Sequence, residues 1–136
     1  MERAHLPPFS AAIKAGVEMV MSSHVCYPSF GDPQGLPATF SPGLIRTVRR
    51  GALRFSGLNL RDDLEMGALR TFGSIGEAAV RATEAGHDLL LICSDLAAAE
   101  EASAALRQAY QSGRLKREEL TESAEKLARM RQKFSI

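Results

Sequence analysis

The chain has 136 residues, 45% of them hydrophobic, a formal charge of +1 and a pI near 7.8. Those values suit one soluble globular unit with a real core, since domains run from roughly 50 to 250 residues. Seventeen Lys and Arg are interleaved with sixteen Asp and Glu, which leaves no electrostatic footprint for nucleic acid. Apolar stretches fall far short of the roughly 20 residues that cross a bilayer, and no charged start precedes an apolar run. No membrane partner and no secretory signal are therefore expected. Cys26 and Cys93 lack CxxC spacing, so reduced thiols and a cytoplasmic location are the expectation.

Taken in chain order, Ser10 to Ala15 reads as a short helix stopped by Gly16. A buried strand is expected over 17–23, ending beside His24. The Pro- and Gly-rich stretch from Tyr27 to Pro42 is the longest loop, at the end of a strand where α/β proteins build their sites. Ser41-Pro42 then opens a helix, with Ser as N-cap and Pro at the first helical position. Its apolar positions are Leu44, Ile45, Val48 and Ala52.

The second strand is expected over 57–61 and leads into Asp62 and Asp63. Ser74 to Ala85 forms a helix with Ala78, Ala79, Ala82 and Ala85 on one side and Gly86 as its stop. The third strand, 88–93, is continuously apolar from Leu89 to Cys93, as in a parallel sheet covered on both faces. Leu96 to Gln111 and Lys116 to Lys133 are a helical pair expected to cover that strand. In the second of the pair, Leu120, Ala124, Leu127 and Met130 make an apolar stripe.

Strands alternating with helices imply an α/β fold of right-handed βαβ units, with three parallel strands and flanking helices. So small a sheet leaves two edges open.

Adjacent residues on a strand face opposite sides, so one of Asp62 and Asp63 can face a given pocket. Asp62 shares parity with Leu58 and Leu60 and is placed inward; Asp63 is expected to cap the following turn or hold a backbone amide. Read on their own, both aspartates could equally be turn and cap residues. Cys26 near His24 could be a thiol nucleophile or a metal pair, but two such residues without a third partner carry little. No metal site and no cofactor are expected, since no Gly-rich phosphate loop follows any strand.

Several segments together resemble the N-terminal catalytic barrel domain of glycoside hydrolase family 3, in its bacterial β-N-acetylhexosaminidase branch. They are His5-Leu-Pro-Pro-Phe9, Ala15-Gly-Val17, Val20-Met-Ser-Ser-His-Val25, Tyr27-Pro28, Pro37-Ala38 and Phe40-Ser-Pro42. Gly57 through Met66 resembles that family's strand with an Asp-Asp-Leu-x-Met ending, and Ala85-Gly-His-Asp88 resembles the lead-in to its last strand. The match covers residues 5 to about 95 in order. It implies one unit, the C-terminal part of a (β/α) TIM-type barrel, with 96–136 as an added helical pair.

The resemblance implies retaining hydrolysis of β-linked N-acetylhexosamine glycosides. Asp62 would be the nucleophile that forms a glycosyl-enzyme intermediate. His24 and Met66 would line the sugar site, although a histidine hydrogen-bonded in the barrel mouth and a core methionine are the other readings. His5 and His87 are assigned to structure. The family's acid/base His with its Asp partner, and its Lys-His-Phe-Pro-Gly-His-type segment, lie upstream and are not in this sequence. An incomplete, inactive fragment is therefore expected, Met1 standing within what resembles a longer helix. The alternative is a non-catalytic α/β module that binds sugar. Its partners would be a second copy or a separate N-terminal half.

Two positions depart from the family pattern. Arg61 stands where Ser or Thr is usual, and Asn59 replaces an apolar residue. Both belong to the face that helices would cover, where an unpaired Arg costs several kcal/mol. Either that face is exposed or its packing is rebuilt.

Overall fold

The computed structural model describes residues 6–27, 33 and 35–135, so His5 and Pro28 lie outside the described residues. Helix α1 (Leu6–Lys14) is followed by β1 (Met19–Ser22), a 3-10 turn (Ala38–Phe40), a π-helix (Gly43–Ala52) and β2 (Leu58–Asp63). A 3-10 segment (Gly67–Phe72), α2 (Ile75–Ala85), β3 (Leu89–Leu91), α3 (Leu96–Gln111) and α4 (Arg117–Phe134) complete the order. Helix α1 begins four residues before the expected Ser10, because Pro7 and Pro8 fall in its first turn, where no N–H is needed.

The three strands form one parallel sheet in the order β1-β2-β3. Met19 pairs with Leu58, Val20 with Asn59, Met21 with Leu60 and Ser22 with Arg61. Parallel partners share a face, so Val20, Ser22, Asn59 and Arg61 lie on one side of the sheet. All four are buried. Strand β2 runs two residues past the expected end, which puts both aspartates inside the strand.

Helix α2 starts as its sequence dictates: Ser74 Oγ accepts from the Glu77 amide, and Gly86 closes the helix in the left-handed region at φ 107°. Its alanine face packs with Phe40, Leu64, Leu69 and Ala102, and Leu90 and Ile92 of β3 pack against that cluster. A Cβ at Gly76 would stand 2.9 Å from that of Ala105, so the close approach of α2 to α3 depends on glycine.

Three expectations are corrected. The helix after Ser41 winds as a π-helix from Gly43, although Ser41 Oγ still accepts from the Leu44 amide. Ala52 is exposed rather than packed. The wide turns are held by tertiary bonds: Arg46 reaches the Glu84 carbonyl and Glu119, and Arg50 reaches the Phe55 and Gly57 carbonyls. Finally, α4 has no buried residue and leaves Leu120 47% exposed, so α2 and α3 cover β3 and α4 does not.

Candidate active site at the C-terminal end of the sheet

The carboxyl ends of parallel strands are where α/β barrels place their reacting groups. Here that end carries Asp62 and Asp63 on β2, His24 after β1, and Cys93 after β3. Asp62 Oδ1 accepts from the Asp63 amide at 2.9 Å, and Asp63 Oδ1 accepts from the Glu65 amide at 3.1 Å. Both aspartates are half-buried. Asp63 thus holds a backbone amide in the turn. The pairing with β3 shifts register between Leu60 and Asp63, so a local irregularity sits at Asp62 itself.

His24 ties three segments together. Its Nε2 donates to the Asp63 carbonyl at 2.9 Å, and its Nδ1 lies 2.6 Å from Thr39 Oγ1. A nitrogen facing a carbonyl must carry the proton, so in the neutral ring Nδ1 accepts from Thr39. Both nitrogens are occupied by the protein, which is the barrel-mouth arrangement. Only the ring's carbon edge and faces are left to meet a ligand. Met66 is exposed, and its amide donates to the same Asp63 carbonyl. His24, Asp63 and Met66 therefore form one connected set beside Asp62.

Sequence reasoning missed Glu65, the variable position inside Asp-Asp-Leu-x-Met. Its carboxylate accepts from the amides of Cys93, Ser94 and Asp95 and from Ser94 Oγ, at 2.7 to 3.0 Å. Asp95 is also the N-cap of α3, accepting from the Ala97 amide. One side chain thus joins the loop after β2 to the loop after β3. No local pattern announces this, because the donors are nearly thirty residues away.

The bonds from Ser94, with those from Cys93 and Asp95, hold the Glu65 carboxyl below the usual carboxylate range. A general acid needs the opposite shift, so Glu65 is a clamp and not a proton donor. Replacing it with glutamine puts an N–H against these amides. Hydrogen exchange at Ser94 and Asp95 should then quicken about tenfold or more. In the native chain their protection should persist at pH 5. It should be lost only as pH falls below the ordinary carboxylate range near about 4. Unchanged exchange in Glu65→Gln would refute the clamp.

Desolvation raises the Cys93 thiol above its usual range, and the charges of Asp63, Glu65 and Asp62 add to the rise. It is a protonated thiol and a poor nucleophile. Cys26 is exposed and free, and among the described residues no group of His, Cys, Asp and Glu could hold a metal ion. His87 is buried under the helices: Nδ1 donates to the Ala82 carbonyl, so Nε2 accepts from Ser22 Oγ at 2.7 Å. That pair faces away from the mouth and supports the sheet.

Arg61 resolves the question its sequence raised. The face is covered, and the side chain is 0% exposed. Its Nε donates to the Asp62 carbonyl at 2.7 Å, while its two terminal nitrogens have no hydrogen-bond partner among the described residues. Desolvation brings its pKa down to about 9, against the pull of Asp63 and Asp62.

A parallel α/β sheet with two adjacent aspartates at its carboxyl end is the arrangement of a barrel-type α/β fold. The profile of the glycosyl hydrolase family 3 N terminal domain matches residues 1–130, and the chain belongs to that family. The match runs past residue 95, through most of the helical pair. A beta-hexosaminidase of Nitrosomonas eutropha is 40% identical over 101 residues, covering 74% of this chain and 28% of that protein. One from Pseudomonas aeruginosa is 38% identical over 108 residues, 79% of this chain and 31% of the relative.

Among solved structures, the family 3 β-N-acetylglucosaminidase of Paenibacillus sp. str. FPU-7 superposes with a TM-score of 0.89 at 40% identity. It covers 93% of this chain and 24% of that one. The β-N-acetylhexosaminidase of Beutenbergia cavernae gives 0.82 at 30% identity, over 91% and 36%. The chain therefore spans about a quarter to a third of its relatives. The three parallel strands with their helices are part of a TIM-type barrel.

Proposed function

We propose that this chain is the C-terminal portion of a retaining β-N-acetylhexosaminidase barrel, in which Asp62 is the nucleophile. The observation that carries this is Asp62 at the carboxyl end of β2, within an Asp-Asp-Leu-x-Met segment. The chain that holds it is 40% identical to a beta-hexosaminidase. A carboxylate there attacks the anomeric carbon; the leaving oxygen departs, and water later releases the glycosyl ester. His24 fixes the Asp63 backbone next to it and offers its ring carbons to the sugar, with Met66 alongside.

The general acid comes from outside these residues. Glu65 is held ionised, and Asp63 Oδ1 is spent on the Glu65 amide. Without an acid, unactivated glycosides should react about two to four orders of magnitude more slowly. The substrate class is a carbohydrate glycoside, and the free thiols of Cys26 and Cys93 support a cytoplasmic setting. No described helix is long and apolar enough to cross a membrane.

The test isolates the nucleophile from the missing acid. A 5-fluoro-N-acetylglucosaminyl fluoride carries a leaving group that needs little protonation, so attack by Asp62 alone should add one glycosyl mass. Mass spectrometry should place that adduct on Asp62, and Asp62→Ala should abolish it. Labelling elsewhere, or none in a folded sample, would overturn the assignment.

A further inference from the structure

The side chain of Arg61 makes one hydrogen bond among the described residues, and it is to the backbone of the residue that follows. Its Nε donates to the Asp62 carbonyl at 2.7 Å, while both terminal nitrogens are buried without a partner. Burial works against the charge of the guanidinium, and Asp63 and Asp62 favour it. A buried charge with so few partners weakens a fold, so stability does not account for Arg61.

The carbonyl that Arg61 holds belongs to the peptide unit between Asp62 and Asp63. The N–H of that same unit donates to Asp62 Oδ1 at 2.9 Å. A peptide unit is a rigid plane. Arg61 therefore fixes one end of the plane, and the Asp62 carboxylate leans on the other. Tilting the plane would swing the carboxylate with it.

Strand pairing alone holds this plane poorly. Leu60 pairs with Leu89 and Asp63 with Leu91, so the three steps from 60 to 63 on β2 match the two steps from 89 to 91 on β3. One extra residue is inserted on β2 at Arg61 and Asp62. Bulges of this kind disrupt the ladder locally and re-aim side chains beside active sites. The next carbonyl, that of Asp63, is held by His24 Nε2 and the Met66 amide. Arg61 supplies the matching hold on the Asp62 carbonyl.

We infer that Arg61 is a positioning residue for Asp62, whose Nε–H bond to the Asp62 carbonyl fixes the Asp62–Asp63 peptide plane and with it the direction of the carboxylate. The buried guanidinium thus weakens the fold while it orders the site, a conflict common between stability and activity. This rests on the reading of Asp62 as the nucleophile.

The test follows labelling of the full chain by the 5-fluoro-N-acetylglucosaminyl fluoride, together with hydrogen exchange at the Asp63 amide. Arg61→Met removes the donor; labelling should slow about tenfold or more, and the exchange should quicken to a similar degree. Arg61→Gln places an N–H at the position of Nε without the charge and should restore both to near their native values. Arg61→Lys keeps the charge but has a carbon at that position, so it should behave as Arg61→Met does. Circular dichroism of each variant checks the fold, and Arg61→Lys carries the comparison if the methionine variant does not fold. Native labelling in Arg61→Met or Arg61→Lys overturns the inference, as does a loss that Arg61→Gln leaves unrestored. No adduct on the native chain would refute the proposed nucleophile. Exchange at Asp63 would then decide by itself whether Arg61 holds the plane, and unchanged exchange in Arg61→Met would overturn that.

Discussion

Asp88→Ala should destabilise the chain by about 3–5 kcal/mol, a large share of the roughly 5–15 kcal/mol that keeps a small domain folded. The carboxylate sits where β3 begins, with its side chain 4% exposed, and it gathers four donors. Arg50 and the Asn59 amide donate to Oδ2, at 2.6 and 2.7 Å, while Ser123 and Lys126 donate to Oδ1, at 2.7 and 2.9 Å. One side chain therefore connects the π-helix, β2 and α4. It ties down α4, which buries no residue of its own, together with the Arg46–Glu119 and Lys133–Glu18 pairs. Alanine would strand the partly buried charges of Arg50 and Lys126 and leave the Asn59 amide unpaired, which is why removing one partner costs more than the pair contributes.

The same group sets an acid limit. Burial works against the charged form, but the Asn59 amide, Ser123, Lys126 and Arg50 together hold the Asp88 carboxyl below its usual range. A depressed carboxylate contributes stability above the unfolded value, near about 4, and loses it as pH falls through the folded value. Asp88→Asn lacks that titration. The stability gap between native chain and Asp88→Asn, from urea unfolding followed by circular dichroism, should be full at pH 7 and narrow below about pH 4. A gap independent of pH would refute this account.

Arg61→Met should do the reverse and stabilise the chain by about 1–3 kcal/mol. A fully buried guanidinium with a pKa near about 9 is still charged at neutral pH, and its terminal nitrogens lack acceptors among the described residues. The single charge-assisted bond to the Asp62 carbonyl returns only about 1.5–3 kcal/mol. Methionine keeps most of the side-chain length, so the cavity left behind is small. The urea midpoint should rise with an unchanged slope. A lower midpoint would mean that attraction to Asp62 and Asp63 outweighs the desolvation cost.

Most of the fold was legible because its signals are local. The Leu89–Leu91 run, the alanine face of α2, its Ser74 cap and its Gly86 stop each depend on residues a few positions apart. The same holds for the site segment, where Gly57 to Met66 resembles the family when taken with the other matching segments. Gly57 also shows how tight that entry is, since a Cβ there would lie 2.4 Å from the Glu18 carbonyl oxygen. Where sequence reasoning failed, distant partners had overridden local preference. The helix after Ser41 took π turns with Arg46 and Arg50 bonded to distant groups, and in the stripe of α4 Leu120 and Ala124 stayed exposed while Leu127 and Met130 are half-buried.

By itself the sequence determined the order of elements, the parallel sheet and the place of Asp62 at a strand's carboxyl end. Capping, helical periodicity and strand alternation act within a few residues. Only the tertiary structure decided what surrounds those residues. It set Glu65 across to the loop after β3, closed both nitrogens of His24 within the protein, buried Arg61 and gave Asp88 its partners. Those contacts join residues tens of positions apart, and their energies depend on burial and geometry that no local pattern encodes.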